Sequence, residues 1–262
     1  NHAYSSLLSL QIKAQDVFGS DRGYEHGAQL TMAILDDMIK NEVMPDDLTC
    51  TLAIKALGLG FSGPAIYGVE RPNATLALTF FETMRTDHRL PNPNQHACTA
   101  LINSFARQGN HETARALLED MRSGVVATEY TSVPAGVSPL PQPTTWTYNV
   151  VLSAYANCKN GFKRIRENRR TRAQEALSLL NQMRDDSVTY KMATFPDTVS
   201  YNTILGMGPF DWVGQDNVNP SSIPLALIDQ MKTSQIARDD ITYRHALLSL
   251  RDGGHILSVI QR

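Results

Sequence analysis

Residues 196–205 read PDTVSYNTIL, and the chain has already written nearly the same phrase at 143–152, PTTWTYNVVL. Both open on Pro, carry a Thr two places on, pair Tyr with Asn and close on Leu. Looser forms keep the order of residue types: PDDLTCTLAI at 45–54, PNQHACTALI at 93–102 and RDDITYRHAL at 238–247, while NHAYSSLL at the start joins the phrase midway. Successive starts lie 42 to 53 residues apart, a period that marks a repeat architecture. The uneven interval implies insertions between fixed elements.

Each phrase begins a stretch of helical periodicity. In the third unit Cys98, Leu101, Ile102 and Phe105 fall on one helical face. Gly109, in RQGN, can take the left-handed conformation that closes a helix. A second helix follows, HETARALLEDM, with Ala114, Leu117, Leu118 and Met121 on one side. Its counterparts AILDDM, LTFFETM, EALSLLNQM and LALIDQM place Met38, Met84, Met121, Met183 and Met231 in one slot. Each unit is thus a helical hairpin. A lone hairpin cannot bury its apolar stripe, so such units stack, and the expected fold is an all-α solenoid. The methionines, with Tyr148, Tyr201 and Tyr243, are then core. Cys50 and Cys98 share the tyrosine slot and are packing residues in the same sense.

Composition bounds the function. The chain has 262 residues, 42% hydrophobic and 19% charged, enough for a sizeable core or an array of small units. A net charge of -2 and a pI near 6.4 give no global attraction for nucleic acid or acidic membrane, so such a partner must be held by local charge. No apolar run approaches the roughly 18 residues of a bilayer span, and no membrane insertion is expected. The Asn-His start suggests a processed or truncated piece. Cys50, Cys98 and Cys158 form an odd set without metal-ligand spacing, which fits a reducing compartment. Nucleotide-loop, serine-hydrolase and zinc-protease signatures are missing, so no enzyme, metal or cofactor is expected. The pairs Asp36-Asp37, Asp46-Asp47, Asp185-Asp186 and Asp239-Asp240 are read as solvated helix ends and caps.

The stretch 95–121, QHACTALINSFARQGNHETARALLEDM, resembles a pentatricopeptide repeat, whose pattern runs V-V-T-Y-N-T-L-I, a Gly turn, E-A-L-x-L-F-x-x-M and a closing G-x-x-P-D. Ala97 and Cys98 stand for its Thr-Tyr, Thr99 for its fifth residue, Gly109 for the turn, Ala114 for the second-helix alanine and Met121 for the methionine. Tetratricopeptide repeats are also stacked hairpins, but their W-x-x-L-G-x-x-Y pattern is missing from every helix start. The resemblance implies a right-handed α-solenoid of five repeats, 1–46, 47–94, 95–144, 145–197 and 198–239, and a partial sixth at 240–262. This chain departs from the pattern in three places. Units one, two, four and five are longer between the fifth residue and the Met, 123–143 is an aperiodic segment read as an exposed loop, and 158–172 is a basic insertion.

What the resemblance implies functionally is binding of single-stranded RNA, about one base per repeat. The second residue of each unit clamps the base: His2, Leu48, His96, Trp146, Val199 and Ile241. Read from the residues alone, the same row could be hydrophobic staples against the next repeat. The fifth and last residues read the base edge, pairing Ser5 with Asp46, Thr51 with Asn94, Thr99 with Thr144, Asn149 with Asp197, and Asn202 with Asp239. By the family's rule these imply G, A, an undecided base, U and U from 5′ to 3′. Helix capping is the alternative account of the same residue types. For phosphate, the resemblance points to Lys13 and Arg107 near the ends of first helices, and the run NCKNGFKRIRENRRTR offers Lys163, Arg166, Arg169 and Arg170, or else forms a solvated face. The implied setting is a mitochondrion or chloroplast. A protein-binding scaffold, such as a subunit of an organellar ribosome or other large complex, is the competing expectation.

Overall fold

The computed structural model describes residues 1–18, 21–59, 72–126, 139–157, 165–207 and 222–249, excepting the side chains of 15–18, 21–26, 72–73, 124–126 and 165–171. Every regular element among these residues is helical, and the chain divides into two compact units, Asn1–Pro143 and Thr144–Arg262. In the first lie α1 (His2–Phe18), α2 (Asp21–Lys40), α3 (Asp47–Gly58), α4 (Pro72–Thr86), α5 (Gln95–Arg107) and α6 (His111–Val126). In the second lie α7 (Thr145–Asn157), α8 (Ile165–Thr189), α9 (Thr198–Leu205), α10 (Ser222–Thr233) and α11 (Asp240–Ser249).

The packing inside each unit is that of stacked hairpins. α1 packs on α2 and α3, α3 on α4 and α5, and α5 on α6; α7, α9 and α11 repeat the arrangement with α8 and α10. The core is made by the slots expected from the phrase. Met38, Met84, Met121, Met183 and Met231 are all buried, as are Tyr148, Tyr201, Cys50 and Cys98, while Tyr243 is partly buried against Leu225, Ile228 and Ala246. Closely approaching first helices require a glycine at one crossing. A Cβ on Gly58 would lie 1.8 Å from Ser104 Oγ and 2.5 Å from its Cβ.

Hairpins close by Schellman-type turns. Gly109 takes φ 74 after α5, as its place in the sequence predicts, and Asn110 N–H returns to the Phe105 carbonyl at 3.0 Å. The turns after α2 and α10 are built alike around the core methionines: Val43 N–H bonds Met38 O at 2.9 Å and Ile236 N–H bonds Met231 O at 2.8 Å. Their left-handed residues are Glu42 (φ 56) and Gln235 (φ 55), in the place of the Gly of the closing G-x-x-P-D.

Two local expectations change, at 123–143 and at Asp186, and the extra length of the fourth repeat is located. The first residues of 123–143 continue α6 to Val126, and Leu140 and Pro143 at its far end are buried, with Gln95 Nε2 holding the returning chain at Gln142 O, 3.1 Å. From Ile165 the basic insertion is the first part of the 25-residue α8, so extra length there went into a helix, and its Arg172 is buried. Asp186 is not a solvated helix end: it is buried and accepts the Tyr148 hydroxyl.

Replacing Gly58 with Ala should lower unfolding free energy by about 1–3 kcal/mol, the cost of forcing a methyl into a packed crossing. Denaturant melts should show Ser104→Gly restoring most of the loss and Ser104→Ala only part, since the Ser104 Cβ is also in the way. Gln235→Gly should act in the other direction. Relief of the left-handed strain outweighs the added freedom of the unfolded chain, for a net gain of about 0.5–1 kcal/mol in the same melts.

Candidate functional site

The site grows out of the way each first helix starts. An N-terminal turn leaves backbone N–H groups without partners, and the residue before the helix supplies an acceptor. Asp46 accepts from Thr49 N–H at 2.8 Å, Asn94 from Ala97 N–H at 2.9 Å, Asp197 from Ser200 N–H at 2.9 Å and Asp239 from Thr242 N–H at 2.8 Å. Thr144 does the same with its hydroxyl, more loosely, at 3.4 Å from Thr147 N–H. The last residue of each unit is therefore a helix cap, in agreement with the capping account. Capping does not exhaust its role.

In the second unit the caps Asp197 and Asp239 are also tied to the preceding repeat. Asn149, on α7, donates from Nδ2 to Asp197 Oδ1 at 3.0 Å and accepts the Ser200 hydroxyl at Oδ1, 2.6 Å. Asn202, on α9, donates to Asp239 Oδ1 at 2.9 Å and accepts the Thr242 hydroxyl at 2.7 Å. Two expected reader pairs are thus brought into contact, each with a third side chain that sequence reasoning did not single out. A signal existed for it. A hydroxyl three residues after the cap, in DTVS and DDIT, is a capping-box pattern.

A cleft of about 590 Å³ opens beside the first of these clusters. Trp146, Asn149, Asp197 and Val199 line it together with Thr145, Val150, Ser153 and Thr203. Two of the expected clamp residues and one expected reader pair therefore line a single concavity between consecutive first helices. All six clamp residues, His2, Leu48, His96, Trp146, Val199 and Ile241, are exposed, with Trp146 at 57% and Val199 at 56%.

The pairs of the first unit are built differently. Ser5 Oγ donates to His2 O at 3.1 Å and Thr51 Oγ1 to Asp47 O at 2.8 Å, so neither hydroxyl proton goes to its partner Asp46 or Asn94. Thr99 also turns back, onto Gln95 O at 2.8 Å, and is 1% exposed. Thr99 belongs to the first unit and Thr144 to the second.

Electrostatics follow the hydrogen bonds. The hydroxyl and then the N–H of Thr49 hold the Asp46 carboxyl below the usual carboxylate range. At Asp239 the N–H of Thr242 is the largest cause, followed by the Asn202 amide and the Thr242 hydroxyl. Burial pushes the Cys50 and Cys98 thiols up to about 12, which makes both inert packing groups. Among the described residues no cluster of His, Cys, Asp or Glu could hold a metal ion, and no helix is long and apolar enough to cross a membrane.

Of the cations, Lys13 and Arg107 are exposed and take part in no ion pair among the described residues. Lys163 and the side chains of Arg166, Arg169 and Arg170 lie outside the described residues.

Residues 96–124 match the family model described as PPR repeat. The matched stretch lies in α5 and α6, one hairpin of the first unit. It is similar in structure to the pentatricopeptide repeat protein PPR10, crystallised in complex with an 18-nt psaJ RNA element, at 16% identity and a TM-score of 0.38. The match covers 99% of this chain and 38% of that one, so the chain spans well under half the length of its counterpart. A cysteine-to-serine variant of PPR10 with the same RNA gives the same values, 16% and 0.38. No curated protein sequence matches the chain.

A carboxyl held low in the folded state stabilises fully above its unfolded value and loses that contribution as pH falls through the folded one. For Asp46 and Asp239 the window lies below about pH 4. Acid titration followed by hydrogen exchange should show α11 loosening in that window, and Asp239→Asn, which keeps the cap without the charge, should remove that response from α11 while α3 keeps its own.

Proposed function

We propose that this chain is a non-enzymatic single-stranded RNA-binding protein that takes one base between consecutive first helices. The observation that carries the reading is the cleft at Trp146, Asn149, Asp197 and Val199, where aromatic and apolar faces flank a pair of polar groups. Such a shape suits a flat base, stacked from its faces and hydrogen-bonded along its edge. The five repeats and the partial sixth carry the clamp and reader residues, with Asn149 and Asp197, then Asn202 and Asp239, set for U. Ser5 with Asp46 and Thr51 with Asn94 are set for G and A, the hydroxyls turning from their own backbone to the base. Lys13, Arg107 and the basic run ending at Arg170 supply phosphate contacts. An organelle is the expected setting, in transcript processing, stability or translation.

A second reading, a protein-binding helical repeat, has one observation in its favour. An apolar groove of about 310 Å³ between α2 and α4 leaves Met32, Ile39, Met44 and Leu76 partly exposed. Gel shifts separate the two. Single-stranded RNA carrying G-A-N-U-U should bind, duplex of the same length should not, and log affinity should fall with log salt by about 0.7 per phosphate contact. Trp146→Ala should weaken binding by about 1–3 kcal/mol, the worth of one stacked base. Equal and weak binding of both RNAs, indifferent to Trp146, would sink the RNA reading in favour of the groove.

A further inference from the structure

We infer that Ser200 and Thr242, the third residues of the fourth and fifth sites' following helices, are specificity-determining positioning residues: each fixes the orientation in which the amide of Asn149 or Asn202 meets the base. The inference rests on the reading of those asparagines as base-edge readers.

Donors and acceptors in the cluster can be counted. An ionised carboxylate only accepts, so the amide nitrogen of Asn149 must face Asp197 Oδ1, where it lies at 3.0 Å. Its carbonyl oxygen is then turned to Ser200, whose hydroxyl donates at 2.6 Å. The same hydroxyl lies 2.9 Å from Asp197 Oδ1 and accepts Asp197 N–H at 3.1 Å, which locks it in place. What is left for the cleft is the second N–H of Asn149 and Oδ2 of Asp197. That is one donor and one acceptor in fixed order, complementary to a base that offers a carbonyl oxygen beside an N–H, as uracil does.

The cluster is built twice. Around Asn202, Thr242 takes the place of Ser200, with 2.7 Å to the Asn202 carbonyl oxygen and 2.9 Å to Asp239. Ser200 and Thr242 are both 0% exposed, so neither touches a ligand. Nor is capping their whole role: each hydroxyl accepts the N–H of its cap residue, Asp197 or Asp239, at 3.1 Å, and also donates to the asparagine of the preceding repeat. The first unit supplies an internal comparison. Where the fifth residue is Ser5, the following third residue, Thr49, bonds only Asp46, at 2.6 Å from its hydroxyl. Where it is Thr51, the third residue is Ala97, with no hydroxyl at all. In the four sites that lie within a single unit, the bridging hydroxyl accompanies asparagine.

Without that hydroxyl the Asn149 carbonyl oxygen loses its buried donor, and the amide, held from one side only by Asp197, can swing about that remaining hydrogen bond. Its second N–H is then no longer aimed into the cleft, and uracil loses the aligned donor that meets its carbonyl. Competition binding on the full chain tests this with G-A-N-U-U RNA and with versions carrying C, A or G at the first U. Ser200→Ala should narrow the preference for U at that nucleotide alone by about fivefold, the worth of one hydrogen bond. Ser200→Thr, the residue the next site uses, should keep it, and Asn149→Ala should erase it. If Asn149→Ala erases the preference while Ser200→Ala only weakens all RNAs alike, Ser200 is a helix cap and the inference is overturned. If Asn149→Ala leaves the preference untouched, the base-reading proposal itself fails. Should Ser200→Ala not fold, Thr242→Ala read at the second U decides in its place: a narrowed preference for U there supports the inference, and uniform weakening overturns it.

Discussion

The structure depends on the hydrogen bond that starts each first helix. A helix beginning beside another helix, with its first N–H groups half-buried, needs an acceptor that the chain brings along, because water reaches that junction poorly. Asp46, Asn94, Asp197 and Asp239 are those acceptors. In the second unit the acceptor is also held by the preceding repeat, through Asn149 and Asn202. Cap and inter-repeat contact are there a single cluster. Local structure and stacking therefore form together, which is how short hairpins, individually unable to bury their apolar faces, become cooperative.

The same junction holds the cleft on which the proposed RNA reading rests. Stacking sets consecutive first helices side by side and leaves a gap flanked by their second residues, and the cap places polar atoms at its floor. Trp146 and Val199 stay exposed beside Asn149 and Asp197 for this geometric reason, although exposure of large apolar side chains brings no folding advantage. The tyrosine slot, two residues further along each first helix and turned to the other side, does the opposite work. Tyr148 and Tyr201 are buried and reach polar groups of the second helices, Asp186 and Arg184, whereas Cys50 and Cys98 fill the slot without such a reach. The second unit thus carries polar ties on both sides of its first helices.

Length variation is absorbed without disturbing the junctions. α8 lengthens to 25 residues, yet Met183 remains in the core and Asp197 still caps α9. The turns that close α2 and α10 keep their Schellman hydrogen bonds with Glu42 and Gln235 in left-handed conformation. Packing of the methionine above each turn over-determines the backbone there, and the local strain is tolerated.

Periodicity alone determined the helical hairpins, the buried methionines and the left-handed Gly109, since these follow from 3.6-residue spacing and from steric limits that act within a few residues. The pairs Asn149 with Asp197 and Asn202 with Asp239 were named through the resemblance to the pentatricopeptide repeat, and both are in hydrogen-bond contact. What the sequence left undecided were the contacts between residues far apart in the chain. That Asn202 serves as a bridge to the next cap, that Ser200 and Thr242 complete the clusters, that Ser5 and Thr51 turn back onto their own helices, that Arg172 and Asp186 are buried, and that Gly58 faces Ser104 were decided only by tertiary structure. A hydroxyl or an amide has several partners within reach of its own backbone. Which one it takes depends on what the neighbouring helix brings to within about 3 Å, and one residue's position along the chain does not encode that.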